Sequence, residues 1–253
     1  MYPAKNKKKE QHMHTTQRDA RIAGGLYLLA GGLGAFSELF VRANIYVPNN
    51  PFETSQIMMQ ATSLFRAGMF AELAMAVLYL FLALALFKLL QHVNKAHAVA
   101  MVGLVGCCVP VICGAVISQY AALHIIVDAE YLSVFTEAQV QALSHLLFNI
   151  QSISYDVASI FFGLWLLPLG LLVFRSGIFP RVFGVLLISA CGAYMVESVL
   201  VLFELRQLYY LFDFTQPVYA VAELGFIFWL LVRGANVKRW SENQNPSTIT
   251  VTD

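Results

Sequence analysis

Five carboxylates lie inside long apolar runs: Glu38, Glu72, Asp156, Glu197 and Glu223. A charge in such a run is expensive in hydrocarbon and normally faces protein or a water-filled cavity. Four of them, near a span end, can reach interfacial water by snorkelling, whereas Glu223 needs an ion partner, a proton or water. Arg42 follows Glu38 at i,i+4, which is pairing distance on a helix, and Arg66 and Arg206 are further candidates to neutralise an acid. Polar groups concentrate in one stretch, "SHLLFNIQSISYDVASIFFGLWL". There His145, Asn149, Ser152 and Asp156 recur at i, i+4, i+7 and i+11, a narrow arc on a helix. Ser159, Gly163 and Gly170 continue it. Such a stripe must face the protein interior.

These residue types support three kinds of chemistry. If Glu38, Glu72, His145, Asn149, Ser152, Asp156 and Glu223 share one hydrated hollow, they would bind or pass a proton, a cation or a small cationic solute. His145, Asp156 and His124 are the candidate metal ligands for an intramembrane metal-dependent hydrolase, with zinc holding a water. No HExxH or comparable spacing accompanies them. In the third reading the stripe is a buried polar network that specifies helix packing in a non-catalytic sensor or assembly partner. No catalytic residue is assigned, and the pattern names no cofactor. P-loop and G-x-S-x-G motifs are absent from the sequence. Cys107, Cys108, Cys113 and Cys191 all sit in apolar runs and read as packing residues.

The elements that position these groups follow from composition. Of 253 residues, 58% are hydrophobic and 12% charged, against about 25% charged in soluble domains. The formal net charge of +1 argues against a nucleic-acid partner. A helix needs about 20 apolar residues to cross a bilayer core. Six stretches qualify, roughly 21–42, 66–90, 98–123, 148–174, 182–204 and 214–233. Pro110 is expected to bend the third. The expected fold is all-α: a polytopic, multi-pass membrane protein with six transmembrane helices in one bundle, residues 18–240. The tails, 1–17 and 241–253, are polar and expected to be disordered. The basic start leads into a polar stretch, so no cleavable signal peptide is expected.

Orientation follows the basic residues of short loops. With a cytoplasmic N-terminus, the inner side collects Lys88, Lys95, Arg175, Arg181 and Arg233, and the outer side keeps Arg42, Arg66 and Arg206. Both termini are then cytoplasmic. At about 1.5 Å of rise per residue, Glu38, Glu72, Asp156 and Glu197 lie about 24–28 Å above the inner boundary, and Glu223 about 15 Å. Gly24, Tyr27, Gly31, Gly34, Glu38 and Arg42 share a face of the first span. Its glycines allow close helix contact, so Glu38 is expected to point into the bundle. Gln216, Tyr219 and Glu223 share a face of the last span. A faint repeat pairs the stretch from Arg21 with that from Arg181. The helices that follow share "AEL", at Ala71–Leu73 and Ala222–Leu224.

The blocks "RIAGGLYLLAGGLGAFSELFVRANIYVP", "FRAGMFAELAMAVLYLFLALALFKLL", "SYDVASIFFGLWLLPLGLLVFRSGIFPRVFGVLL" and "AELGFIFWLLVRGAN" carry a resemblance. From about Arg21 to Asn236 the chain resembles the bacterial membrane-protein family labelled domain of unknown function 4386. The resemblance implies a six-span bacterial protein of the inner membrane and no assigned activity. It also implies family acids at Glu38, Glu72 and Glu223, and a His–Asp pair at His145 and Asp156. Ser154 and Tyr155 depart from it, standing where a glycine is expected. The bilayer is the one partner the sequence names, and oligomeric state is not encoded in it.

Overall fold

The computed structural model describes residues 3–127 and 133–236. It is all-α, with no strand among the described residues. Six helical segments are long and apolar enough to cross a membrane: Thr16–Ile45, Thr62–Leu90, Lys95–Val127, Glu137–Ser176, Arg181–Leu202 and Arg206–Val232. They coincide with the six stretches expected from hydropathy. The expected tail at 1–17 differs: helix α1 runs Pro3–Ala35, so residues 3–17 continue the first span as helix. The other expected tail, 241–253, lies outside the described residues.

Several elements depart from plain α-helix. α1 passes into a π-helical stretch, Phe36–Arg42, and one α turn, α2 (Ala43–Ile45), closes the span. π-Helical turns are rare and often mark functional sites. The loop after the first span holds a short helix, α3 (Pro51–Gln60). Asn50 caps it by accepting the Glu53 backbone N–H at 3.1 Å, and the Asn50 amide donates to the Glu53 carboxylate at 2.8 Å. Proline at the first helical position suits such a start. α4 (Thr62–Leu90) and α5 (Lys95–Val127) follow.

The fourth span begins earlier than its apolar run. α6 (Glu137–Leu164) opens with a reciprocal cap. The Thr136 N–H donates to Gln139 Oε1 at 2.9 Å, and the Gln139 N–H to Thr136 Oγ1 at 3.4 Å. The span breaks at Trp165 and resumes as α7 (Leu166–Ser176). Pro168 explains the break: it has no N–H for the Leu164 carbonyl, and its ring crowds that carbonyl. Gly177, at φ 66°, ends α7 in the left-handed region. α8 (Arg181–Leu202), a 3-10 stretch (Arg206–Leu211) and α9 (Phe212–Val232) complete the chain.

The helices sort into two compact units. The first takes its residues from Met1–Tyr27, Phe81–Leu104 and Phe162–Asp253; the second from Leu28–Leu80 and Val105–Phe161. In the first, Gly170 and Gly184 bring α7 and α8 into backbone contact, and Tyr27 meets Trp165 edge-on at 5.7 Å. Lys88 pairs with Asp19 at 2.7 Å. The core of the second unit gathers Val41, Ile45, Met58, Phe65, Val116 and Phe148. Val41 lies against Gly68, where an added Cβ would meet its Cγ1 at 2.7 Å.

Candidate functional site

The polar groups fall into two sets, one in each unit. In the second unit the centre is Glu72 on α4, 3% exposed. Its Oε1 accepts from Ser37 Oγ at 2.7 Å. Gln119 Nε2 donates to both carboxylate oxygens, at 3.0 and 2.9 Å. Tyr155 is within hydrogen-bonding reach of the same group. Every one of these donors is neutral. The ion pairs among the described residues are Arg42–Glu38, Lys88–Asp19 and Arg206–Glu204, and none involves Glu72.

Arg42 is the second hub of this unit. Its Nη1 pairs with Glu38 at 2.9 Å, Nε donates to Gln151 Oε1 at 3.0 Å, and Nη2 donates to Ser152 Oγ at 2.6 Å. The guanidinium also lies 5.2 Å from the centre of the Tyr46 ring, a cation–π distance. The π-helical turn sets this arrangement. Ser37, near its start, faces Glu72, and Arg42, at its end, faces α6. Ser37, Arg42, Glu72, Gln119 and Gln151 line one cleft with Phe65 and Phe148. It leaves no room for a water molecule.

The stripe on α6 meets other side chains of the second unit. Asn149 Oδ1 accepts from the Tyr46 hydroxyl at 2.6 Å, and Ser152 accepts from Arg42. Asp156, one turn on from Ser152, is within electrostatic reach of Arg42. His145, 8% exposed, stacks on Tyr46 at 5.3 Å, and its Nδ1 is buried without a hydrogen-bond partner among the described residues.

The first unit holds Glu223 and Glu197 in a tyrosine-rich set. Tyr27 Oη donates to Glu223 Oε2 at 2.5 Å, and Tyr194 Oη to Oε1 at 3.1 Å. The Tyr194 and Tyr219 rings stack at 4.3 Å. Glu197 accepts from the Thr215 hydroxyl. In each unit, then, the glutamate of the "AEL" segment accepts from a hydroxyl on the membrane helix preceding its own: Ser37 for Glu72, Tyr194 for Glu223.

The donors to Glu223, Tyr27 and Tyr194, belong to the first unit, and Ser37 and Gln119, which donate to Glu72, belong to the second. Three expectations need correction. Glu38 does not point into a packed interior: its side chain is 51% exposed. Gly31, placed on the same face, has no atom within 4 Å of where a Cβ would stand. Arg66 is exposed and forms no ion pair among the described residues. His145, Asp156 and His124 do not assemble as metal ligands: no group of three His, Cys, Asp or Glu with that geometry exists among the described residues. His124 instead stacks on Tyr120, 6.2 Å away.

Sequence reasoning on charges missed the uncharged partners. Ser37, Gln119, Gln151 and Tyr155 do as much as the acids in the second unit, as do Tyr27, Tyr194 and Thr215 in the first. The available signal was glutamine inside apolar runs, since a buried amide must be hydrogen-bonded.

No curated protein and no solved structure matches the chain. A family model matches residues 22–234. That match takes in both acid sets and, apart from Thr16–Arg21, all six apolar helical segments described above, so the chain belongs to the family described as Domain of unknown function (DUF4386).

Proposed function

We propose that this is an integral membrane protein that takes up and releases a proton at Glu72. The observation that carries the reading is a buried carboxylate whose hydrogen-bond donors are all neutral and which has no ion partner among the described residues. A bare charge so placed is costly, and neutralising it by protonation is the usual solution. The narrow cleft favours a proton over a small cationic solute, which needs space the site does not offer. Arg42 borders the same cleft and is tethered on its far side by the half-exposed Glu38. Ionised Glu72 would compete with Glu38 for the guanidinium, which links protonation to the position of the π turn. The π turn at this site interrupts the first span, as the spans of transporters are interrupted at their sites.

The protein sits in a bacterial cytoplasmic membrane with both ends inside. The basic inner loops support this, and the acid set of the second unit then lies in the outer half of the bilayer.

Infrared difference spectroscopy of the reconstituted protein tests the proton site. A pH step should produce a carboxyl C=O band that disappears in Glu72→Gln and survives in Glu38→Gln. A band unchanged in Glu72→Gln overturns the reading. A band that answers to sodium or potassium at fixed pH assigns the site to a monovalent cation instead.

A further inference from the structure

In the first unit, the α7–α8 hairpin carries a feature unrelated to the acids. Gly170 and Gly184 hold the two helices together so closely that a Cβ on Gly184 would stand 2.8 Å from the Gly170 carbonyl oxygen. Beside this contact the helices leave an open groove of about 350 Å³, walled by Leu171, Phe174, Val185 and Ile188. Its wall is apolar almost throughout, and Arg175 stands on its rim. Arg181, across the Gly177–Pro180 turn, lies with its guanidinium 5.7 Å from the Phe174 ring. Both arginines are exposed, and neither forms an ion pair with a carboxylate among the described residues. The sequence explains why: no Asp or Glu occurs between Asp156 and Glu197.

We infer that this groove binds one acyl chain of an anionic phospholipid, with the lipid phosphate held by Arg175 and Arg181. Guanidinium groups match phosphate oxygens in forked pairs. The apolar wall supplies the surface for the chain, so the ligand is a lipid and not free phosphate. On α8 the groove follows about 6 Å of helix rise from Val185 to Ser189, and Arg181 stands one turn beyond it, about 12 Å in all. That is most of one leaflet's hydrocarbon, about half of a 30 Å core. A zwitterionic lipid would fill the same groove, but its choline or ethanolamine would stand close to two cations. Selectivity thus resides in the headgroup and retention in the chain. The site uses no residue of the Glu72 set, so it stands or falls independently of the proton reading.

Native mass spectrometry of the detergent-purified full chain tests it. Equal concentrations of phosphatidylglycerol and phosphatidylcholine are added, with inorganic phosphate as a competitor. Phosphatidylglycerol should be retained about tenfold or more in preference, the factor two arginines beside an anionic headgroup contribute. Arg175→Gln/Arg181→Gln should abolish the preference, and Val185→Trp, which fills the groove, should reduce retention of both lipids. Inorganic phosphate should not displace the lipid. Equal retention of the two lipids overturns the inference, as does a preference that persists in the double glutamine variant. Should that variant fail to give a monodisperse, helical protein, Val185→Trp decides: undiminished phosphatidylglycerol binding there refutes the groove.

Discussion

Replacing Glu72 by leucine exposes what the acid does for its neighbours. Leucine removes the acceptor for Ser37 Oγ and for both contacts of the Gln119 amide. Ser37 and Gln119 are 4% and 3% exposed, so water does not take the acceptor's place. Each stranded donor costs about 1–3 kcal/mol, and the pair roughly 2–6 kcal/mol. Ending the burial of a carboxyl group offsets part of this, which leaves a net loss of about 2–4 kcal/mol. Glutamine behaves differently. It keeps an oxygen for Ser37, and the Gln119 amide turns over to accept from the new NH₂, so Glu72→Gln should lose no more than about 1 kcal/mol. Removing all three polar groups, in Ser37→Ala/Glu72→Leu/Gln119→Leu, strands neither Ser37 nor Gln119, leaves the Tyr155 hydroxyl without this acceptor, and should recover most of the loss. Equilibrium unfolding in mixed micelles, followed by far-UV circular dichroism, gives the order. A leucine variant as stable as the parent would show that Ser37 and Gln119 do not depend on the carboxylate. A glutamine variant as damaged as the leucine one would show that the resting site needs the negative charge, against a protonated Glu72.

Two further perturbations read other parts of the fold. Gly184→Ala drives a Cβ to within 2.7 Å of the Phe174 backbone nitrogen and 2.8 Å of the Gly170 oxygen, and should destabilise by about 1–3 kcal/mol; Gly192→Ala, which meets nothing within 4 Å, should be neutral or stabilise by up to about 1 kcal/mol, and thermal melts of the pair check the opposite signs. Arg42→Lys should fail to replace arginine, because one ammonium does not reach Glu38, Gln151 and Ser152 from a single position as the planar fork does; a loss of about 1–3 kcal/mol is expected from the stranded Gln151 side chain, 1% exposed, and a lysine variant with parental stability would contradict it.

The spans were legible because twenty-odd apolar residues have few other fates, and each expected stretch falls on a described helix. The ends were less so. α6 opens at Glu137, eleven residues before its apolar run, on a Thr-x-x-Gln cap that hydropathy does not register. α3 was hidden in the loop after the first span, although Asn50-Pro51 followed by Glu53 carried a capping signal. Of the site, the charged members were visible and their grouping was not. Depth estimates placed Glu38, Glu72, Asp156 and Glu197 at one level, yet depth says nothing about which helix lies alongside. Glu223 and Glu197 accept from hydroxyls of the first unit, and Glu72 from partners in the second, because helix neighbours decide that matter. The π turn has no signature in hydropathy.

That wide turn has a mechanical consequence. A helix that loops once per i+5 step carries a slack residue, and slack of this kind can travel along a rod by exchanging one carbonyl partner at a time, as a ruck moves along a rug. Here it is pinned: Ser37 is fastened near one end and Arg42 at the other. Unfastening either peg frees the segment to screw by a fraction of a revolution without unravelling the rod, and Ala43–Ile45 with the strap beyond would swing with it.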